Sequence, residues 1–183
     1  ANLPYLLGSP IGLEFGLQLF RKDSTFSNAK QYAKIHYQIN SKHRIAAGIT
    51  TTSSTNLLEN DTAILNDYTS SYYTINYNYT KTQLYDPLFP VNFSLDLSTG
   101  LGDRTNSLKT QKQNIFSLDT YKIFNLNNKN SIYTRFNGAL LESNDFLDNE
   151  LFRFGGINSI RGFEENSLVA NLYGVINTEY RYR

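Results

Sequence analysis

The chain has 183 residues, a formal net charge of +1 and 18% charged residues, where a soluble domain carries about a quarter. The near-neutral charge excludes the basic field of a general nucleic-acid-binding protein, and the lack of cysteine excludes a disulfide framework and thiolate metal sites. No apolar run approaches the roughly 18 residues of a membrane-spanning helix. The chain instead has 14 Tyr and 12 Phe beside many Asn, Ser and Thr, a mixture that predicts an all-β fold.

Apolar and polar residues alternate with a period of two along most of the chain, which indicates strands with two different faces. In the first of them Leu13, Phe15 and Leu17 share one face, and Glu14 and Gly16 share the other. The pattern predicts eight antiparallel strands, which in chain order are Gly12 to Lys22, Ala29 to Ile39, Arg44 to Ser53, Ser70 to Lys81, Val91 to Gly102, Lys112 to Phe124, Ser131 to Leu141 and Leu168 to Arg183.

The connections between these segments are predicted to alternate in length. Residues 40–43 and 125–130 are short and 83–90 intermediate, whereas 54–69, 103–111 and 142–167 are longer and 23–28 is moderate. Counting strands puts the longer connections on one side and the shorter ones on the other. This sorting is typical of a membrane barrel, which has short periplasmic turns and longer outer loops.

The residues on the two faces distinguish a membrane barrel from the main alternative, a soluble lipocalin or β-sandwich with an apolar core. One face carries too many polar and charged groups for a dry core but suits a water-filled lumen; they are Glu14, Lys34, His36, Arg44, Asp96, Asp119, Arg135, Glu179 and Arg181. Tyrosines near strand ends are expected to form an interfacial girdle; they are Tyr72, Tyr73, Tyr79, Tyr85, Tyr173, Tyr180 and Tyr182. We therefore predict an antiparallel transmembrane β-barrel.

The longest connection contains the most informative motif of the sequence. Gly155 and Gly156 predict a sharp bend, and Gly162 is expected to let the backbone pass close to a wall. Arg161 lies between apolar Ile160 and Phe163, which suits an inserted loop tip whose aromatic ring packs while the guanidinium binds a carboxylate. An ordinary turn is the alternative interpretation of the glycines.

These residues resemble the loop of the superfamily of BamA, TamA and the two-partner secretion transporters, whose Arg-Gly-Phe or Arg-Gly-Tyr tip folds into the barrel lumen. Similar flanks are Phe154-Gly155-Gly156 before the tip and Asn177-Thr178-Glu179-Tyr180-Arg181-Tyr182 after it. The opening Gly8-Ser9-Pro10-Ile11-Gly12-Leu13 looks like a member from the Bacteroidetes.

The resemblance implies a sixteen-stranded barrel preceded by periplasmic POTRA domains. Residues 1–183 would then be part of the C-terminal barrel domain and supply its fifth to twelfth strands, with the POTRA domains and the other strands lying elsewhere. The pattern also runs to Arg183 without a turn, and an unpaired edge is not tolerated in lipid, so further strands are expected, either in the same protein or from another chain. The resemblance implies that Arg161 pairs with an acidic lumen residue, for which the strand phase makes Glu179 the candidate. Glu179 as a lumen charge without a specific partner is the alternative.

The implied function is insertion of β-barrel proteins into the bacterial outer membrane, without an enzymatic step, cofactor or metal. Its partners would be the lipid bilayer, unfolded outer-membrane proteins and periplasmic or lipoprotein accessory subunits, and no nucleic acid. Polypeptide secretion through the lumen, and a passive porin or structural barrel, are the alternatives. His36 and His43 are expected to be a lumen residue and a turn residue, because no closely spaced second ligand completes a metal site.

Overall fold

The computed structural model of the chain describes residues 1–4, 6–22, 24–58, 66–83 and 86–182. Within these residues the chain forms one short 3-10 helix, Leu6–Gly8, and eleven strands. The strands are β1 (Asn2–Leu3), β2 (Ile11–Lys22), β3 (Phe26–Gln38), β4 (His43–Asn56), β5 (Tyr68–Thr82), β6 (Val91–Asn106), β7 (Thr110–Asn125), β8 (Asn130–Glu142), β9 (Phe152–Phe154), β10 (Leu168–Ala170) and β11 (Leu172–Tyr182).

Nine strands form one antiparallel sheet in the order β1-β2-β3-β4-β5-β6-β7-β8-β11, and β9 pairs with β10 in a separate ribbon. Neighbours in the sheet are neighbours in sequence, apart from the connection between β8 and β11, which contains the ribbon. The prediction of an all-β antiparallel fold is confirmed. Within the described residues the sheet is open, with β1 and β11 at its edges.

Each of the eight predicted segments corresponds to a strand of the sheet, but the sheet has nine strands because Asn2 and Leu3 pair with β2. The last predicted segment is also interrupted. Its first residues form β10, which pairs with β9, and β11 begins after Asn171. Tyr85 and Arg183, which the predictions included, lie outside the described residues.

The predicted sorting of the connections by length is wrong at two places. At one end of the sheet, the loop end, the connections are 23–25, 57–67, 107–109 and 143–171. At the other, the turn end, they are 4–10, 39–42, 83–90 and 126–129. Two loop-end connections thus have three residues, because polar residues assigned to loops, such as Ser27 and Thr105, continue the paired strands. The two longest connections do lie at the loop end.

One face of the sheet, the inner face, carries the charged residues that the alternation predicted to lie together. Arg44 on β4 donates to Glu14 on β2 across β3, with 2.9 Å between Nη2 and Oε2. Arg135 on β8 forms an ion pair with Asp119 on β7, and the Nδ2 of Asn137 lies 2.8 Å from the same carboxylate. Tyr72 and Tyr173 also face inward, where they hydrogen-bond to polar side chains, so they do not belong to an outer girdle.

The opposite, outer face is apolar and exposed. It includes Leu17, Ile35, Tyr73, Leu101 and Ile176, each between 58% and 75% exposed. Buried apolar residues such as Phe26, Leu141 and Leu147 instead belong to the loop end and to the connection after β8. The apolar surface of this sheet therefore points outward, opposite to the arrangement of a soluble β-sandwich or lipocalin.

Gly102 on β6 lies where the backbones of β5 and β6 approach closely. A Cβ atom at this position would overlap the carbonyl oxygen of Ser71 and lie 2.8 Å from the Cα of Tyr72. We expect Gly102→Ala to lower the free energy of unfolding by about 1–3 kcal/mol, because the strands must separate to relieve the overlap. Urea denaturation of the protein in detergent micelles measures this.

Gly174→Ala is the matched control for this variant. A Cβ at Gly174 on β11 would meet the Phe136 ring at 3.4 Å, an ordinary contact, so the substitution should be neutral or slightly stabilising. Equal effects of the two alanine variants would contradict the assignment of close approach to Gly102.

Candidate functional site

The connection between β8 and β11, here called loop 143–171, bends sharply at Gly155 and Gly156. Their φ angles are +114° and +87°, a region that L side chains rarely adopt. The carboxylate of Glu165 lies against Gly156 and accepts a hydrogen bond of 3.0 Å from the backbone N–H of Ile157. Glu165, which follows the loop tip in sequence, therefore stabilises the bend that precedes the tip.

Arg161 in the loop tip reaches the inner face of β11. Its Nη2 lies 2.7 Å from Oε1 of Glu179, and Arg181 holds the other carboxylate oxygen at 3.0 Å. The Arg161 side chain remains 69% exposed, so this is an exposed ion pair at the end of a projecting loop. The structure thus brings together the two residues that the family resemblance pairs.

Neither the close wall expected at Gly162 nor the packed ring expected at Phe163 is seen within the described residues. No described heavy atom lies within 4 Å of a Cβ built on Gly162, so no close neighbour explains the glycine. Its φ angle of +94°, which favours glycine over other residues, does explain it. Phe163 is 51% exposed and its ring does not pack into a described wall. The tip presents Phe163 and Ile157, which is 71% exposed, to the outside of the described structure.

A second anchor, at the base of loop 143–171, is fully buried. The Arg104 side chain on β6 has no exposed surface, and it donates to Glu150 at 2.9 Å, to Asp145 at 2.7 Å and to Gln111 at 2.8 Å. Glu150 is itself 4% exposed and also accepts from Gln113 at 3.0 Å. We call these five residues the Arg104 cluster.

Within the Arg104 cluster, the pKa values of the two loop carboxylates shift in opposite directions. Burial raises the pKa of Glu150, against the lowering effect of its hydrogen bonds from Gln113 and the Leu147 backbone. A hydrogen bond from Lys109 lowers the pKa of Asp145, and Arg104 adds to that effect. Protonation on acidification therefore reaches Glu150 before Asp145, and it removes the charge that faces the buried guanidinium.

Asn149, next to the Arg104 cluster, connects the loop to three further strands. Its carbonyl oxygen accepts from Asn28 on β3 at 2.9 Å and from Tyr68 on β5 at 3.2 Å, and its amide donates to Ser54 on β4 at 2.7 Å. Asn149 is 1% exposed. Two adjacent loop residues, Asn149 and Glu150, thus contact side chains from β3 to β7.

These contacts require a strongly curved sheet. Strands β3 and β7 lie four spacings apart, about 19 Å in a flat sheet. Asn28 and Gln113, on those two strands, nevertheless hydrogen-bond to neighbouring residues of one loop. The inner face is therefore concave, and the loop lies inside the curve.

The ribbon of β9 and β10 extends the loop to the other edge of the sheet. The ring of Phe154 stacks on Tyr173 of β11 with 4.6 Å between centroids, and Phe152 meets the same ring edge-on at 5.7 Å. The guanidinium of Arg153 lies over Phe26 on β3, 5.0 Å from the ring centroid. Loop 143–171 thus crosses the concave inner face from β3 to β11 near the loop end.

A scan of protein-family models finds no match to this chain, and a search of curated proteins finds no match either. Among the described residues, no helix is long and apolar enough to cross a membrane. Within the same ranges, no group of three or more His, Cys, Asp and Glu side chains lies together so as to hold a metal ion. His36 is buried on the inner face, and His43 begins β4 with its Nδ1 2.7 Å from the Tyr77 hydroxyl.

Sequence reasoning missed the Arg104 cluster. The predicted strand ends at Gly102, and beyond it Asp103 and Thr105 interrupt the outer apolar pattern. Arg104 has the same strand phase as Gly102, so extending the strand by two residues would have placed it on the inner face. No sequence signal marks Asn149 as the residue that joins three strands.

Proposed function

We propose that this sheet is part of the wall of a transmembrane β-barrel in the bacterial outer membrane. The support comes from the outer apolar surface, which slopes across the sheet relative to the hydrogen-bonding register. On β2 this surface runs from Ile11 to Leu19, and Ile11 is in register, strand by strand, with Gly174 of β11. On β11 the outward apolar positions continue past Gly174 toward the turn end as far as Tyr182.

The slope corresponds to one residue per strand. The midpoint of the apolar surface on β2, Phe15, is in register with Glu142 of β8. Leu172 of β11 pairs with Leu140, which lies two residues nearer the turn end than Glu142, and the midpoint of Leu172–Tyr182 lies a further five residues along, at position 177. The midpoint on β11 is therefore seven residues nearer the turn end than the midpoint on β2. Seven steps separate β2 from β11. One residue is about 3.4 Å along a strand, and neighbouring strands are about 4.8 Å apart, so the strands are tilted by about 35° from the normal to the apolar band. The strands of outer-membrane barrels are tilted by about 35–45°.

The height of the apolar surface agrees with this assignment. On β6 the apolar surface extends over eight residue steps, from Phe93 to Leu101, which is about 27 Å along the strand. At a tilt of about 35° this length spans about 22 Å of membrane thickness, close to the apolar band of about 25 Å of outer-membrane barrels. Aromatic rings gather on the outer face near the turn end, as at a membrane interface. They belong to Tyr37, Tyr79, Phe93, Phe124, Tyr180 and Tyr182, with Tyr79 and Phe93 5.7 Å apart.

We further propose that the protein inserts β-barrel proteins into the outer membrane, as the superfamily of BamA and TamA does. The observation that carries this proposal is loop 143–171, which crosses the concave inner face and brings Arg161 to Glu179. In a closed barrel a loop across this face would narrow the lumen, which favours this function over that of a passive porin. The chemistry is exchange of strand pairing with an incoming chain, without cofactor or metal, and the partners are the bilayer, unfolded clients and accessory subunits.

Depletion of the protein in its source bacterium tests this function. We expect the levels of folded outer-membrane β-barrel proteins to fall while their unfolded forms accumulate in the periplasm. The purified protein in lipid vesicles should also accelerate the folding of an added urea-denatured barrel protein. Normal barrel levels with loss of one secreted polypeptide would instead indicate the secretion function, and normal levels of both would contradict the proposal.

A further inference from the structure

At the turn end, the described charged side chains on the outer face and those exposed in the turns are positive. Lys42 and Lys129 lie exposed in the turns 39–42 and 126–129, and Lys81 and Lys122 lie at the turn-end rows of β5 and β7. Among the described residues of these turns and rows the one carboxylate is Asp86, which is 1% exposed and accepts hydrogen bonds from its own turn. We call the four lysines the basic rim.

The loop end carries lysines as well, but carboxylates lie among them. Lys109 forms an ion pair with Asp145, and Lys112 on β7 lies in register with Asp103 on β6. Among the described residues, lysines and carboxylates are therefore mixed at the loop end, whereas exposed lysines dominate the turn end, although the net charge of the chain is +1.

The basic rim continues the outer apolar surface. Phe93 on β6 lies in register between Lys81 on β5 and Lys122 on β7, so an aromatic ring is flanked by two lysines in one row. The next residue of this face on β5, Tyr79, contacts Phe93. Rings beside lysines at the border of an apolar band suit a headgroup layer, because the rings and lysine stems lie against acyl chains while the ammonium groups reach phosphates.

We propose that the basic rim binds the anionic headgroups of phospholipids in the leaflet on the turn side. This inference rests on the proposed membrane barrel. An acidic protein domain also carries negative charge, but Lys81 projects from the outer face in the same row as the ring of Phe93, where lipid surrounds a barrel. Lys122 lies in that row as well, with its ammonium group donating to the side chain of Asn92. Each lysine near an anionic surface contributes about fivefold in partitioning.

The test uses the protein reconstituted in phosphatidylcholine vesicles that contain trace spin-labelled phosphatidylglycerol or spin-labelled phosphatidylcholine. Electron spin resonance of the immobilised lipid gives the relative association of the two headgroups. We expect the unaltered protein to select phosphatidylglycerol, with a preference that falls in high salt. The double variant Lys81→Gln, Lys122→Gln should lose most of this preference.

The double variant Arg21→Gln, Lys112→Gln, which removes two exposed cations from the loop end of the outer face, is the matched control and should keep the preference. Immobilised lipid without headgroup preference in the unaltered protein would overturn the inference and leave the barrel proposal standing. An equal loss in both double variants would also overturn it, as would a rim that captures an acidic protein but not the anionic lipid. Absence of any immobilised lipid would instead contradict the membrane barrel itself.

Discussion

Arg161→Glu should lower the outer-membrane assembly activity by up to about 30-fold. The Arg161–Glu179 pair is exposed, so its attraction is about 1 kcal/mol, and charge reversal replaces it by a repulsion of similar size. The total of about 2 kcal/mol lowers the ratio of engaged to disengaged tips about 30-fold, and this ratio sets the upper limit of the loss. Folding of an added barrel protein by the reconstituted variant measures the activity, and spin labels on the tip and on β11 measure engagement.

The swapped double variant Arg161→Glu, Glu179→Arg should recover activity in part. The restored pair again has opposite charges, but an arginine at position 179 also repels Arg181, which the native carboxylate holds at 3.0 Å. Lys112→Glu, which reverses an exposed cation on β7 away from the tip, is the charge control and should retain activity. Full activity of Arg161→Glu would contradict the proposed role of the tip.

Arg104→Leu should have the largest effect on the structure of the loop. The guanidinium is fully buried, and its removal leaves Glu150, 4% exposed, without its cation. Removal of one partner from a buried ion pair costs about 3–5 kcal/mol. We expect loop 143–171 to detach at its base, which limited trypsin digestion detects as rapid cleavage after Arg153, and we expect a matching loss in urea stability.

Replacing the buried charges together is the informative control. In Arg104→Leu, Glu150→Leu no buried charge is left unpaired, so the stability should return toward that of the unaltered protein, and the double-mutant cycle should give a coupling well above that of an exposed pair. Lys112→Leu, which removes an exposed cation from the next strand, should change neither stability nor cleavage. A loss from Arg104→Leu that is no larger than that of Lys112→Leu would show that the cluster does not hold the loop.

Loss of the tip anchor of loop 143–171 should therefore leave its base in place, whereas loss of the base anchor should release both. The Arg104 cluster is buried and holds the base, whereas Arg161 is exposed and holds the tip, with the Gly155–Gly156 bend between them. We expect Arg161→Glu to leave trypsin cleavage after Arg153 slow, because the base contacts remain. Arg104→Leu should increase the mobility of base and tip together.

The sequence by itself determined the strands and their two faces. Each strand alternates with a period of two, so neighbours such as Phe15 and Glu14 point to opposite sides whatever the rest of the chain does. The glycine bend and the strand phase of Glu179 are equally local, but the expectation that Arg161 pairs with an acidic residue came from the family resemblance, and the strand phase only made Glu179 the candidate. The loop-length pattern failed because polar Ser, Thr and Asn residues have no local feature that separates a paired strand end from a loop.

The tertiary structure alone decided which side of the sheet is concave and what lies within it. The contacts of Asn149 and Glu150 join residues up to 121 positions apart in sequence, and such contacts depend on curvature summed over several strands. The same holds for the slope of the apolar surface, which appears when the registers of eight strands are followed in turn. Arg104 is an anchor for the same reason. Gln111 is its partner in the β6–β7 register, but its two carboxylate acceptors, Glu150 and Asp145, come from the loop, 46 and 41 positions away in sequence.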